Sequence, residues 1–180
     1  MGTIRRITAE RGDITRVATD VVVNAANSSL LGGGGVDGAI HAAAGPRLLE
    51  ACRQLRRTTC TDGLAVGDAV ATEAFDLPAR WVVHTVGPNW HAGQRDPALL
   101  ASCFTRSLDV AADLGARSVA FPAVSAGVYG WDPATVARVA VEAVRGWRPE
   151  PPSGVDEVRF VLFSDALLGE FRAALAPADP

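Results

Sequence analysis

The residues best suited to chemistry lie in one short segment, NAANSSLLGGGGVDGAIH, at positions 24–41. Two asparagines, Asn24 and Asn27, are followed there by four consecutive glycines and by the carboxylate of Asp37. Glycine loses more backbone freedom on folding than any other residue, so such a run in a folded domain needs a reason. Glycine also lets a backbone approach a ligand closely and turns N–H groups toward anions. The segment therefore indicates a site for a phosphate-bearing ligand, in preference to a glycine-rich surface turn.

A second loop of unusual composition, PAVSAGVYGWD, occupies positions 122–132 and follows the apolar run SVAF. The first segment likewise follows an apolar run, VVV at 21–23. Ligands of open α/β sheets bind beyond the carboxyl ends of the strands. If both runs are strands, both loops lie at the ligand-binding edge of one sheet. A helix that begins near Val36 would add its positive N-terminus to the same place.

Two familiar motifs are formally present and are rejected. Gly33, Gly35 and Gly38 match G-x-G-x-x-G, but a dinucleotide fingerprint follows its strand almost at once, and NAANSSLLG intervenes here. The VSAG around Ser125 is similar to a nucleophile elbow, whose fold places the histidine after the serine, whereas all three histidines precede Ser125. Ser125 is therefore predicted to offer a hydroxyl or backbone donor to phosphate. His84, inside an apolar strand, is predicted to be a hydrogen-bonded core histidine.

Composition narrows the function further. The 180 residues carry a formal net charge of −3, which does not favour a nucleic-acid backbone as partner. The chain has no lysine, which excludes a Walker lysine, a Schiff-base lysine and a lysine general base. The three cysteines lack metal-ligand spacing and are expected to be reduced thiols packed in the core. Without an apolar run of about 18 residues, the chain is expected to be soluble and cytoplasmic.

Short β-rich runs alternate with longer helical patterns along the chain. Strands are predicted at 4–10, 21–24, 69–73, 81–86, 118–121 and 157–163. Helices are predicted at 36–44, 46–56, 97–114, 133–147 and 165–175. This alternation predicts an α/β fold, a three-layer α/β/α arrangement around a central mixed, mostly parallel sheet. It also predicts one domain at 1–176 and a short C-terminal tail at 177–180.

Four segments together resemble a macrodomain: GDIT at 12–15, the stretch 24–45, HTVGP at 84–88, and the loop 122–132. They occur in the family's order over nearly the whole chain, and they are most similar to the MacroD-type ADP-ribose hydrolases. The resemblance implies the same three-layer fold and ADP-ribose as the ligand. Zinc-dependent relatives carry extra Cys and His in the catalytic loop, whereas residues 24–45 contain no Cys and one His. No metal and no other cofactor is therefore expected.

The resemblance also implies roles at the adenine end and at the reacting end of the ligand. Asp13 would accept a hydrogen bond from the adenine amino group, supported by the N–H of Ile14. Phe163 would stack on adenine, with a core phenylalanine as the alternative. Asn27 and Asp37 match the hydrolytic pair. Asn27 would hold the distal ribose, and Asp37 would either activate a water as a base or only orient it.

The remaining implied contacts surround the diphosphate and the distal ribose. They comprise residues of both loops: Gly34, Gly35, Val36, Ser125, Ala126, Gly127, Val128 and Tyr129. His41 lies one helical turn after Asp37 and is expected to hydrogen-bond it or border the site. Asn24 is counted with the ligand-binding residues, although tying the strand end to the loop is the favoured role for it.

The implied function is hydrolysis of esters on the distal ribose. The leading hypothesis is removal of mono-ADP-ribose from acidic side chains of proteins, together with deacetylation of O-acetyl-ADP-ribose. A non-catalytic reader of ADP-ribose is one alternative, although pure readers often lack the Asn27/Asp37 pair. Hydrolysis of ADP-ribosylated nucleic acid is the other, and nucleic acid is expected as a partner only in that form. A monomer is expected.

Overall fold

Residues 4–177 are described in a computed structural model, and the predicted tail at 177–180 lies almost entirely outside them. The six strands are β1 (Arg6–Arg11), β2 (Val21–Ala26), β3 (Ala69–Glu73), β4 (Trp81–Val86), β5 (Ser118–Phe121) and β6 (Glu157–Leu162). The five helices are α1 (Gly35–Ala44), α2 (Pro46–Arg57), α3 (Pro97–Asp113), α4 (Pro133–Gly146) and α5 (Asp165–Leu175). Two short 3-10 turns, Ile14–Arg16 and Trp90–Ala92, were not predicted.

The strands form one sheet in the order β1-β6-β5-β2-β4-β3. All neighbouring pairs are parallel except β3 and β4 at one edge, which are antiparallel. The prediction of a mixed, mostly parallel sheet is therefore confirmed. Crossover connections that carry helices are what parallel pairing requires, and they cover both faces of such a sheet.

The VVV run shows how the three layers are held together. Val21 and Val23 point to one face and pack with α3, α4 and α5, whereas Val22 points to the other and packs with α1 and α2. All three valines are buried. Successive strand residues alternate between faces, so a continuous apolar run has to be covered on both sides. The predicted α/β/α layering is confirmed.

Strands β2 and β5 lie side by side at the centre of the sheet, and the chain leaves them in opposite directions. After β2 it runs through α1 and α2 to β3 and β4 on one side, and after β5 it runs through α4 to β6 on the other. Their carboxyl ends therefore diverge and open a crevice, which is the usual ligand position in open α/β sheets. The loops that follow these two strands are the two singled out in the sequence.

Two element boundaries differ from the prediction in a way that matters for the site. β2 continues to Ala26, so Asn24 lies within the strand, in the layer between the sheet and α1. β6 ends at Leu162, so Phe163 lies just beyond the strand. β2 is longer because its pairing with β4 continues to Ala26 and Val86. β6 ends at Leu162 because that residue pairs with Arg11, the last residue of β1.

The aromatic core behind the crevice sets the stability of the fold. Phe104, Phe121, Phe160 and Phe171 are fully buried and contact one another, with ring centroids 4.9 to 6.3 Å apart. Aromatic pairs at such separations add to the stabilisation that burial alone provides. The sheet is thereby anchored to α3 and α5 directly below the ligand edge.

We expect Phe160→Ala to lower the free energy of unfolding by about 3–5 kcal/mol, because it removes a large side chain that its neighbours cannot replace. Phe163, three residues further along and 68% exposed, provides the matched control. Phe163→Ala should change the stability by less than about 0.5 kcal/mol. Urea unfolding followed by circular dichroism measures both values, and equal losses in the two variants would contradict this account of the core.

Candidate functional site

A crevice opens at the carboxyl ends of β2 and β5, as two adjoining cavities of about 520 and 280 Å³. They share Gly35, Val36, Pro122, Ala123 and Phe163 and so form one continuous site. The larger cavity reaches Asp13 and Ile14, and the smaller one reaches the loop at Ser125–Tyr129. Most of the predicted contact residues are thus brought together from segments far apart in the chain, from Asp13 to Phe163.

The first wall of the smaller cavity is the start of α1. Its N-cap is Gly34, which makes no side-chain capping hydrogen bond, whereas Asp96, Asp132 and Ser164 cap α3, α4 and α5. The first N–H groups of a helix have no partner within the helix. With no side chain to accept from them, those of α1 are free to bind an anion in the cavity, where the helix dipole also favours negative charge.

The second wall is the loop after β5. Ser125 has a positive φ of 68°, and its hydroxyl donates to the Pro88 carbonyl at 2.8 Å, with its side chain packed against Gly87. The hydroxyl is therefore occupied, and only the backbone alternative for Ser125 remains. Within residues 4–177, the N–H groups of Gly127, Val128 and Tyr129 donate to no protein acceptor. The two walls thus present N–H groups to the same space.

Ala126 is the exception in this loop. Its N–H donates to the Ala123 carbonyl at 3.1 Å, and its methyl group packs against the core. It does not line either cavity. The predicted contact of Ala126 with the ligand is therefore not supported by this geometry, because the turn that aims its neighbours uses its own N–H.

The larger cavity is lined by the carboxylate of Asp13 and by the ring of Phe163, which it shares with the smaller cavity. Asp13 Oδ1 accepts from the N–H of Thr15 at 2.9 Å and from its hydroxyl at 2.6 Å. These bonds, with the nearby Arg16, lower the pKa of Asp13 below its ordinary value, so it is ionised and can only accept. Phe163 is 68% exposed and lines both cavities, which rules out the core alternative.

Asn27 and Asp37 both approach Gly33. A Cβ added to Gly33 would be 3.2 Å from Asp37 Oδ2 and 3.4 Å from Asn27 Nδ2. Asn27 Nδ2 donates to the Gly32 carbonyl at 3.0 Å. The structure thus brings the predicted pair together next to Gly34, although Asp37 is only 5% exposed and neither side chain lines the two cavities.

His41 lies behind the glycine loop. Its Nε2 is 3.4 Å from Asp37 Oδ1. Nε2 is buried and has no hydrogen-bond partner among the described residues, so the two side chains are close but the expected hydrogen bond between them is not formed. It lines a separate cavity of about 480 Å³ with Gly32, Gly33 and Gly38. The structure therefore places His41 beside Asp37 but outside the crevice, and contact with the bound ligand is not supported.

Asn24 is buried and does not line the crevice either. Its Nδ2 donates to Asp37 Oδ1 at 2.8 Å and lies 3.1 Å from His84 Nδ1. This geometry therefore gives no support to the prediction that Asn24 binds the ligand. The favoured role was close: the side chain ties the strand to the residue at the start of α1, but from within β2 rather than from its end.

His84 is a hydrogen-bonded core histidine, as predicted. It is fully buried, with Nε2 3.0 Å from the Thr72 hydroxyl and 3.9 Å from Cys52 Sγ. Burial, and secondarily the nearby His41, lowers the pKa of His84 to about 3. The imidazole is therefore neutral at physiological pH.

Several cavity residues were missed by the sequence reasoning. They follow or end strands at the same edge of the sheet: Arg11, Gly12, Ala25, Ala26, Gly87, Pro122, Ala123, Val124 and Val161, with Ala39 from α1. Nothing in their residue types signals a ligand. Their one available signal is position, because a residue at the carboxyl end of a central parallel strand borders the crevice.

The cysteines behave as expected. Cys52, Cys60 and Cys103 are free and buried, and burial raises the pKa of Cys52 and of Cys103 to about 11. Both of these thiols are therefore protonated and unreactive at neutral pH. Across residues 4–177, His, Cys, Asp and Glu nowhere form a group of three suited to a metal, and no helix there has the length and apolarity to cross a membrane.

Fold and site together define an α/β domain with a crevice at the switch point of its sheet. The Macro domain family model matches residues 23–140, and the chain belongs to that family. It is 58% identical over 166 residues to a macro domain-containing protein of Streptomyces griseus, covering 92% of each chain. An O-acetyl-ADP-ribose deacetylase of Cronobacter sakazakii is 50% identical over 174 residues, covering 92% of this chain and 95% of the relative. A macrodomain of Oceanobacillus iheyensis solved with ADP superposes with a TM-score of 0.87 at 41% identity, covering 93% of this chain and 88% of that one.

The buried His84 makes the stability of the fold depend on pH. Its folded pKa of about 3 lies below its ordinary value of 6.5, so between these values the unfolded chain binds the additional proton. The stability that the neutral His84 contributes is fully present above pH 6.5. As the pH falls below that value, the free energy of unfolding decreases by about 1.4 kcal/mol per pH unit. Urea unfolding between pH 4 and pH 8 should show a shallower slope in His84→Gln than in wild type.

The exposed His91 provides the control for that measurement. His91→Gln makes the same substitution at an exposed position, so it separates the loss of the buried imidazole from the change of residue type. Equal slopes in wild type and His84→Gln would mean that the His84 imidazole becomes protonated inside the fold.

Proposed function

We propose that this protein binds ADP-ribose in the crevice and hydrolyses esters carried on its distal ribose. The observation that carries the proposal is the set of groups met from the larger cavity to the glycine loop: the ionised acceptor Asp13, the exposed ring of Phe163 shared by both cavities, uncapped N–H groups on two walls of the smaller cavity, and the Asn27/Asp37 pair beside Gly33. Adenine, diphosphate and distal ribose follow one another in ADP-ribose in that order.

The adenine end combines the two contacts that a purine needs. The carboxylate of Asp13 accepts from the exocyclic amine, and its fixed negative charge disfavours a base with a carbonyl there. The ring of Phe163 provides a stacking surface worth about 1–3 kcal/mol per base. Both groups stand ready in the free protein, since Thr15 already holds Asp13 in place.

The middle of the crevice fits a diphosphate without any basic side chain. The start of α1 offers uncapped N–H groups, and the facing loop offers those of Gly127, Val128 and Tyr129. Val128, which is 90% exposed, is positioned to cover the ligand once it is bound. Two relatives support this assignment: the Oceanobacillus macrodomain was solved with ADP, and the Cronobacter relative is named an O-acetyl-ADP-ribose deacetylase.

For an ADP-ribosylated carboxylate, the reaction adds water to the anomeric carbon of the distal ribose. The bond from that carbon to the acyl oxygen breaks, the side-chain carboxylate leaves, and ADP-ribose is the second product. The proton of the attacking water passes to Asp37 or to a phosphate oxygen of the substrate. A carboxylate beside this carbon also stabilises the positive charge that develops on the sugar. Asn27 would hold the ribose hydroxyls through its donor and its acceptor.

The location of Asp37 favours one of its two oxygens for this task. Oδ1 is engaged by Asn24, whereas Oδ2 lies beside Gly33, which Asn27 also approaches. A water held by Oδ2 would therefore lie next to the glycine loop that carries the diphosphate. The low exposure of Asp37 also favours a non-catalytic reader as the second candidate, and the same experiment separates the two.

Asp13→Asn should weaken ADP-ribose binding by about 1–3 kcal/mol, the cost of losing a charged acceptor and facing the adenine amine with an amide donor. Its Oδ1 can still accept from Thr15, so the local turn remains intact. Calorimetric titration with ADP-ribose measures the change, and Asp113→Asn, at the far end of α3, serves as the control. An unchanged affinity in Asp13→Asn would remove the adenine assignment.

Asp37→Ala should lower release of ADP-ribose from a glutamate-modified protein by at least about tenfold, with ADP-ribose affinity changed less than about threefold. Asp37→Asn keeps an acceptor for Asn24 but no basic oxygen. If Asp37 is the base, this variant should be as slow as the alanine variant; if Asp37 only orients the water, it should retain part of the activity. Wild type that binds ADP-ribose without releasing it from any ester would establish the reader instead.

A further inference from the structure

We infer that Asn24 and His84 are positioning residues for the proposed hydrolysis: they fix the carboxylate of Asp37 so that one chosen oxygen faces the reacting end of the crevice. This inference rests on the proposed function for its catalytic meaning. Its geometric content, that a chain of buried polar groups holds Asp37 in place, stands on the contacts below the crevice.

The polar chain runs across three strands into α1. It starts at Thr72 in β3, passes through His84 in β4 and Asn24 in β2, and ends at Asp37. The three contacts measure 3.0, 3.1 and 2.8 Å, all within hydrogen-bond distance. Asn24 and His84 are direct partners in the register of β2 and β4, so the sheet itself sets the spacing between them.

The carboxylate fixes the direction of every bond in this chain. It can only accept, so the amide group of Asn24 must present its nitrogen to Asp37. The second hydrogen of that nitrogen then points to His84 Nδ1, which accepts because the imidazole is neutral. The ring proton is therefore on Nε2 and is donated to the Thr72 hydroxyl. Each side chain of the polar chain therefore has one orientation, and so does the carboxylate of Asp37 at its end.

These polar groups occupy an apolar layer at a cost. On β2, Asn24 lies between Val22 and Ala26, and on β4, His84 lies between Val82 and Val86, in the buried cluster under α1 and α2. Burial of a polar group is unfavourable unless it is hydrogen-bonded. Apolar residues at both positions would pack α1 against the sheet without that penalty, so packing does not explain the pair.

Asn24 itself shows which of its atoms matters. Its Oδ1 is buried and has no partner among the described residues, while its Nδ2 makes both contacts. An unsatisfied buried acceptor costs about 1–3 kcal/mol. This cost accompanies the link that Asn24 Nδ2 makes between Asp37 and His84. The result is that Oδ1 of Asp37 is engaged from below, which leaves Oδ2 on the side of Gly33 and Asn27.

The activity test uses two removals, a rescue and a distal control. Asn24→Leu and His84→Leu should each lower kcat for release of ADP-ribose at least about tenfold, with KM and the calorimetric Kd for ADP-ribose within about threefold of wild type. His84→Asn places an acceptor near the position of Nδ1 and should restore kcat to within about threefold of wild type. Thr72→Val removes only the hydroxyl at the far end of the polar chain and should lower kcat least of the variants.

Unchanged kcat in both leucine variants would overturn the inference. An equal loss of kcat in His84→Leu and His84→Asn would do the same. A parallel loss of kcat and of ADP-ribose affinity would also overturn it, because it marks a general distortion of the site. A crystal structure of Asn24→Leu is the readout that does not depend on turnover. The carboxylate of Asp37 should rotate away from its wild-type orientation there, and an unmoved carboxylate would refute the chain. Wild type without activity on any ester would refute the proposed function alone, since the crystal structure still decides whether Asn24 holds Asp37.

Discussion

The site depends on hydrogen-bond donors that the fold leaves without acceptors. Helix α1 begins at glycine, so no side chain satisfies its first N–H groups, and the sheet places this helix start opposite a second loop with free N–H groups. The arrangement requires glycine beyond the cap as well: a Cβ on Gly38 would lie 2.6 Å from the Gly33 carbonyl oxygen, because the loop packs directly on the first turn. These backbone N–H groups alone could therefore bind an anion.

The order of strands gives these donors a common target. Connections leave β2 and β5 in opposite directions, and the resulting crevice is open where the two loops meet. The buried phenylalanines below this edge keep the strands in place, while Phe163, just past the end of β6, remains exposed to the crevice. The same short segment thus contributes one aromatic ring to the core and another to the site.

Beneath the crevice, the polar groups that are proposed to position Asp37 also lower the stability of the fold. The row of Asn24, His84 and Thr72 interrupts an otherwise apolar layer and leaves one buried oxygen unsatisfied. Because the histidine is buried and neutral, it also makes the fold sensitive to acid. The row ends in a hydrogen bond from Asn24 to Asp37, the side chain whose orientation it is proposed to set.

The sequence by itself determined the layers and the two ligand loops. The apolar VVV run can only be a strand covered on both faces, and the glycine run after it has no use in a core. The core position of His84 also followed from its apolar neighbours. Which atoms are free was decided only by the tertiary structure. The Ser125 hydroxyl is occupied by Pro88, Ala126 is used within its own turn, His41 lies behind the glycine loop, and Asn24 faces Asp37 from within β2. Residue type and spacing specify what a side chain can donate or accept, whereas its partner depends on register and packing between segments far apart in the chain.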